Sequence, residues 1–186
     1  MKFYLAAGII LLILLLLPWI RIFLKRIHLF MRLRSVCKKN FKLVGIHFFW
    51  PFGRNQSKNH DFTIETSNKI IAVKLFSVRY PRASLIFLRQ GGYRIRRHFP
   101  LRGKTVLPID SKYKEMNYRF EKGAESKEDN KEVVPVLLIH PNGKEILYQT
   151  AQNDYRAIDP GEAIHGMMVF SFPEFAGWLN ANLNKA

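Results

Sequence analysis

The chain has 186 residues and carries 30 Lys and Arg against 14 Asp and Glu, a formal net charge of +16. Its single cysteine, Cys37, excludes an internal disulfide, so the fold does not depend on an oxidising compartment. The charge is uneven: residues 1–110 hold 21 Lys and Arg against 3 acids, whereas residues 111–186 hold 9 against 11. The basic half therefore calls for an anionic partner, either lipid headgroups or nucleic acid.

The chain opens with FYLAAGIILLILLLLPWI, residues 3–20, which contains no charge. As a helix this run spans roughly 27 Å, the thickness of a bilayer's hydrocarbon core. It ends Pro18-Trp19-Ile20-Arg21, without the small residues of a signal-peptidase site. Residues 1–20 are thus expected to be a transmembrane anchor. The cations after it (Arg21, Lys25, Arg26, Arg32, Arg34) place the remainder in the cytoplasm by the positive-inside rule. The expected protein is a single-pass protein of the cell membrane with a cytoplasmic C-terminal domain.

Residues 21–40 read as a basic amphipathic juxtamembrane helix, with Ile20, Phe23, Leu24, Ile27, Phe30 and Met31 recurring at spacings of three and four. Two placements stay open for this apolar stripe: flat in the headgroup region, or packed on the domain as its first core helix. Residues 41–186 form the expected α+β domain. Strands are expected over 41–51, 61–66, 70–77, 84–89, 93–99, 133–139, 145–150 and 167–171, with turns at Ser67-Asn68, Gly91-Gly92, Pro141-Asn142-Gly143 and Asp159-Pro160-Gly161. Residues 111–120 read as a short helix. The twelve residues 121–132 hold no large apolar side chain and read as a mobile charged loop. An amphipathic helix over 173–183 closes the chain, with Phe175, Trp178, Leu179 and Leu183 on its buried face.

Asp61 opens one strand, a short turn follows, and Lys74 sits thirteen residues on in an apolar strand. Helix, strand, Asp-bearing strand, turn and Lys-bearing strand resemble the core of the PD-(D/E)xK nuclease superfamily. The resemblance covers residues 21–84 and implies a mixed-sheet, restriction-endonuclease-like domain. In that family the Asp and an acid two residues before the Lys hold magnesium, and the Lys positions the attacking water. Here the position two before Lys74 is Ala72, so a metal site needs Glu65, which shares a strand face with Asp61 by period two. The plainer reading is that Asp61 caps a turn, that Lys74 snorkels at a sheet edge, and that Asp61→Ala changes stability only slightly.

His140, Asp154, Asp159, Glu162 and His165 fall within 26 residues but lack metal-ligand spacing. Cys37 follows a helix among lysines, which would lower its pKa. A second basic run contains Arg94, Arg96 and Arg97, with Arg94 and Arg96 on one strand face and Arg97 on the other. The expected function is a membrane-tethered, non-catalytic interaction module that needs no cofactor. Its basic face (Arg21, Lys25, Arg26, Arg32, Arg34, Arg94, Arg96, Arg97) would meet anionic lipid headgroups, nucleic acid or another membrane protein. The alternative is a membrane-anchored, magnesium-dependent nuclease using Asp61, Glu65 and Lys74.

Overall fold

The computed structural model describes residues 2–37, 40–43, 60–66, 68–100, 106–112, 114 and 131–183. The expected loop at 121–132 and helix at 111–120 lie mostly outside them, as does the expected strand at 41–51 beyond residue 43. Two helices and eleven strands follow in order: α1 (Lys2–Cys37), β1 (Phe41–Leu43), β2 (Phe62–Glu65), β3 (Lys69–Phe76), β4 (Ala83–Phe87), β5 (Tyr93–Pro100), β6 (Val106–Asp110), β7 (Glu132–Ile139), β8 (Ile146–Ala151), β9 (Asp154–Ala157), β10 (Ala163–Ile164), β11 (Met167–Ser171) and α2 (Phe172–Leu183).

The strands form two sheets. The first runs β1-β2-β3-β7-β11-β10 and the second β6-β5-β4-β8-β9. Strands β3, β7 and β11 are mutually parallel, and the outer pairings of the first sheet are antiparallel. The near-continuous apolar runs of β3 and β7 follow from this position, since both faces of a central strand are covered. Alternation then sorts the side chains. Ile71, Val73, Val136, Leu138 and Phe170 pack under the helices, against Leu29, Leu33 and Cys37 of α1 and Phe175 and Leu179 of α2. Phe76, Leu137, Ile139, Met167 and Val169 face the second sheet and meet Ala83, Leu85, Phe87 and Tyr93. The body is three layers: helices, mixed sheet, second sheet. Each large side chain fully buried between them stabilises it by about 1.5–3 kcal/mol.

The mixed-sheet α+β body and its closing helix are as expected; the transmembrane element is not. Among the described residues no helix is long and apolar enough to cross a membrane. This corrects the expectation of a transmembrane helix in the fold, and with it a single-pass membrane protein located in the cell membrane. The physical reason lies in how α1 is built. It runs unbroken past the expected boundary at residue 20, and its described side chains bring in Arg21, Lys25, Arg26, Arg32 and Arg34 within four turns. One side of it is committed to the sheet: Ile22, Arg26, Leu29, Leu33 and Cys37 are all buried.

That buried stripe is not the one picked out by periodicity. Of the stripe Ile20, Phe23, Leu24, Ile27, Phe30 and Met31, four members (Ile20, Phe23, Leu24 and Met31) point the other way and are exposed, whereas Ile27 is half-buried and Phe30 packs against the core beside Phe41. At 100° per residue the two stripes lie on opposite sides of the helix. The helix packs on the domain with most of its apolar stripe outward.

Candidate functional site

The sequence motif converges in space. The tight turn after β2 sets Phe62 opposite Val73, which brings Asp61 beside Lys74. Asp61 accepts a hydrogen bond from the Leu75 backbone N–H at 2.7 Å through Oδ2, and its Oδ1 lies 3.8 Å from Lys74 Nζ. Both residues are buried, at 8% and 4% exposure. The strand carrying Lys74 lies between β2 and β7, inside the sheet, so the reading of Lys74 as an edge lysine is corrected. Burial lowers the Lys74 pKa; the Asp61 carboxylate opposes that shift and the Arg26 charge adds to it. Burial likewise holds His60, next in the chain to Asp61, below the ordinary histidine range.

Glu65 stands elsewhere. It is four residues from Asp61 on an extended strand, about 13 Å away, exposed and ion-paired with Lys131. The hydrogen bond from Lys131 holds its carboxyl below the usual range. Ala72, where the family pattern wants an acid, pairs with Thr63 and is buried. One carboxylate, already engaged by a lysine and a backbone N–H, does not fit a magnesium ion, which wants several oxygen ligands in octahedral order. Among the described residues no group of three His, Cys, Asp or Glu is placed to hold a metal. The scattered set near the C-terminus is separately employed. His140 Nε2 bonds the Lys25 carbonyl at 3.2 Å, His165 Nε2 bonds the Leu88 carbonyl at 3.0 Å, and Glu162 is ion-paired with Arg156.

The cations expected to bind anions divide into two groups. Arg26 is buried, and its Nε donates to Ser77 Oγ at 3.0 Å. The Ser77 hydroxyl donates in turn to the His140 carbonyl at 2.6 Å, so this arginine joins α1 to the ends of β3 and β7. Arg96 forms a two-point ion pair with Asp110 (2.7 and 3.0 Å) and stacks on Tyr155. Such a fork-to-carboxylate pair is a stable structural contact. Lys25, Arg32, Arg34 and Arg97 are exposed, and Arg21 and Arg94 are half-buried. Arg32 lies 5.7 Å over the Phe172 ring.

Residues outside the motif complete the basic surface. Arg79, just beyond β3, lies 4.6 Å from the Trp19 ring centroid and 5.2 Å from that of Tyr80. Arg97 covers the same Tyr80 ring at 4.1 Å, and Arg21 Nη1 donates to the Arg79 carbonyl at 3.4 Å. Of these, Arg21 and Arg97 belong to the basic runs visible in the sequence. Arg79 and Tyr80 sit in an irregular connection where no period marks them.

A half-open cleft of about 250 Å³ lies between the start of β8, the end of β9 and the start of α2, with Glu145, Asp159 and Glu174 in its lining. Neither the Asp61–Lys74 pair nor an arginine lines it. No protein-family model, curated protein or solved structure matches this chain.

Proposed function

We propose that this chain is a non-catalytic interaction module that binds anionic lipid headgroups peripherally, through the outward side of α1. The observation that carries this reading is the composition of that side. Leu16, Leu17, Ile20, Phe23, Leu24 and Met31 are exposed together, and the exposed Lys25 and Arg32 with the half-buried Arg21 run along one border of the stripe. A helix with apolar residues outward and cations beside them suits a headgroup layer, where the cations meet phosphates and the apolar side chains reach the acyl boundary. A nucleic acid would meet a single cation along the apolar stripe, the exposed Arg34 one turn after Met31, among six apolar side chains.

The non-catalytic part of the reading rests on Asp61. Both its oxygens are engaged and Glu65 lies about 13 Å away, so the nuclease roles of Asp61, Glu65 and Lys74 have no common centre to serve.

The test is co-sedimentation of the full chain with vesicles of phosphatidylglycerol mixed into phosphatidylcholine. Binding should rise with the anionic fraction and fall with salt, at about 1 kcal/mol per engaged cation. Equal binding to pure phosphatidylcholine, or preference for single-stranded DNA over the vesicles, overturns the lipid reading. Magnesium-dependent cleavage of DNA or RNA that disappears in Lys74→Ala overturns the non-catalytic one.

A further inference from the structure

The outward side of α1 explains affinity for a surface but not recognition of any particular group. A second feature does, and the inference drawn from it rests on the lipid reading above. Arg79 and Arg97 share the Tyr80 ring, and Arg79 also lies against Trp19. Among the described residues neither arginine, nor Arg21 beside them, has a carboxylate within ion-pairing distance; the ion pairs of the arginines go instead to Arg96 and Arg156. Two guanidinium groups thus gather over aromatic rings, with the Arg21 guanidinium bonded to the Arg79 carbonyl beside them, and no counter-charge among the described residues. Stacking uses the face of a guanidinium and leaves its N–H edge directed outward in the plane, which is the geometry that grips a phosphate at two oxygens. The Arg79 Nε is itself buried and without a hydrogen-bond partner, so the edge that would meet a phosphate is the one formed by its two terminal nitrogens.

The surroundings restrict what the phosphate can belong to. Trp19 is on α1, and its neighbours one turn away on the same side, Leu16 and Phe23, are exposed, as is the adjoining Ile20. A phosphate held by Arg79 and Arg97 would have its substituents running onto apolar side chains. We propose that Trp19, Arg79, Tyr80 and Arg97 form a specific seat for the phosphate of an anionic phospholipid, with its acyl chains laid along Leu16, Ile20 and Phe23. The stacked arginines read the phosphodiester, and the helix reads the lipid.

The experiment compares two double variants of the full chain that lose the same charge, Arg79→Gln/Arg97→Gln and Arg32→Gln/Arg34→Gln, in binding to phosphatidylglycerol vesicles. The first should weaken binding at least about tenfold more than the second, because it removes planar two-point recognition as well as charge. Arg79→Lys/Arg97→Lys, which keeps the charge and the packing stems, should lose most of the same advantage. Thermal unfolding of each variant verifies that it folds. Dihexanoyl phosphatidylglycerol, kept below its micelle concentration, should compete with the vesicles, whereas inorganic phosphate at the same concentration should not. Equal losses in the two Gln variants, or full binding by the Lys variant, overturn the seat while leaving the surface reading intact. Competition by inorganic phosphate as effective as by the lipid overturns the acyl part of the proposal. Failure of the unaltered chain to bind the vesicles removes both readings together.

Discussion

The Lys74 ammonium stands 3.8 Å from the Asp61 carboxylate with both side chains almost withdrawn from water. An ion pair in that position gains little over an apolar pair of the same volume, because desolvation offsets the attraction; removing one partner is another matter. Asp61→Ala takes away the carboxylate from Lys74 and from the Leu75 N–H at once. We expect a loss of about 3–5 kcal/mol of stability in urea unfolding, not the slight change anticipated for a turn cap. Asp61→Asn/Lys74→Met, which removes both charges, should regain most of it. A single variant as stable as the parent would show that the pair is solvated.

His140 gives the fold a pH dependence. Burial pushes its pKa down to about 4; the hydrogen bond to the Lys25 carbonyl opposes that shift, and the charges of Lys25 and Arg26 on α1 add to it. Its ring also packs edge-on against Phe172. In the unfolded chain the imidazole titrates near 6.5, so the unfolded state binds the extra proton first as pH falls. The stabilising contribution is full above about pH 6.5, declines below it, and is lost as pH falls through about 4. Discounted for its partial exposure, the decline should be about 1–2 kcal/mol in urea unfolding between those limits. His140→Gln keeps a donor for the Lys25 carbonyl and should flatten that part of the curve. An unchanged slope in the variant assigns the dependence to other groups.

Cys37 closes the buried side of α1. Its thiol is 4% exposed, and burial pushes its pKa up to about 11, which corrects the lowering expected from neighbouring lysines. A buried thiol without thiolate character is a poor nucleophile. Ellman's reagent at pH 8 should leave the folded protein unlabelled over minutes and label one thiol per chain at once in urea. Rapid labelling of the folded protein would mean that the C-terminal turns of α1 detach from the sheet.

What could be read in the sequence, and what could not, follows from how local each determinant is. The central strands β3 and β7 stand out because burial on both faces demands near-continuous apolar runs, Ile70–Phe76 with its one lysine and Val133–Ile139. The approach of Asp61 to Lys74 was implicit in a short turn between two strands. Edge elements left no such trace: β10 has two residues, β9 four, and β6 contains Pro108. The facing of α1 was the larger miss. Periodicity showed an apolar stripe but could not say that the sheet would take the stripe through Arg26, because the hydroxyl that accepts from Arg26 comes from Ser77, itself bonded to the His140 carbonyl, both far along the chain. The depth of Lys74 was hidden for the same reason, since β7, which covers one side of its strand, starts nearly sixty residues later.

Two glycines make opposite predictions from the same substitution. Gly143 lies in the turn between β7 and β8, where the Lys144 N–H donates to the Ala83 carbonyl at 2.8 Å. A Cβ at Gly143 would come within 1.9 Å of that same carbonyl oxygen and 3.0 Å of Val78 Cγ1. Backbone cannot swing aside as a side-chain tip can, so Gly143→Ala must displace the turn from the start of β4. That displacement should cost about 1–3 kcal/mol. Gly177, inside α2, is exposed, and a Cβ there would meet nothing within 4 Å. Ala at that site lowers the entropy of the unfolded chain and favours the helix, so Gly177→Ala should stabilise the protein by about 0.5–1 kcal/mol. Thermal or urea unfolding of the two variants measured side by side provides the check. A neutral Gly143→Ala would mean that the turn does not hug β4 in solution, and a destabilising Gly177→Ala would mean that this face of α2 is covered.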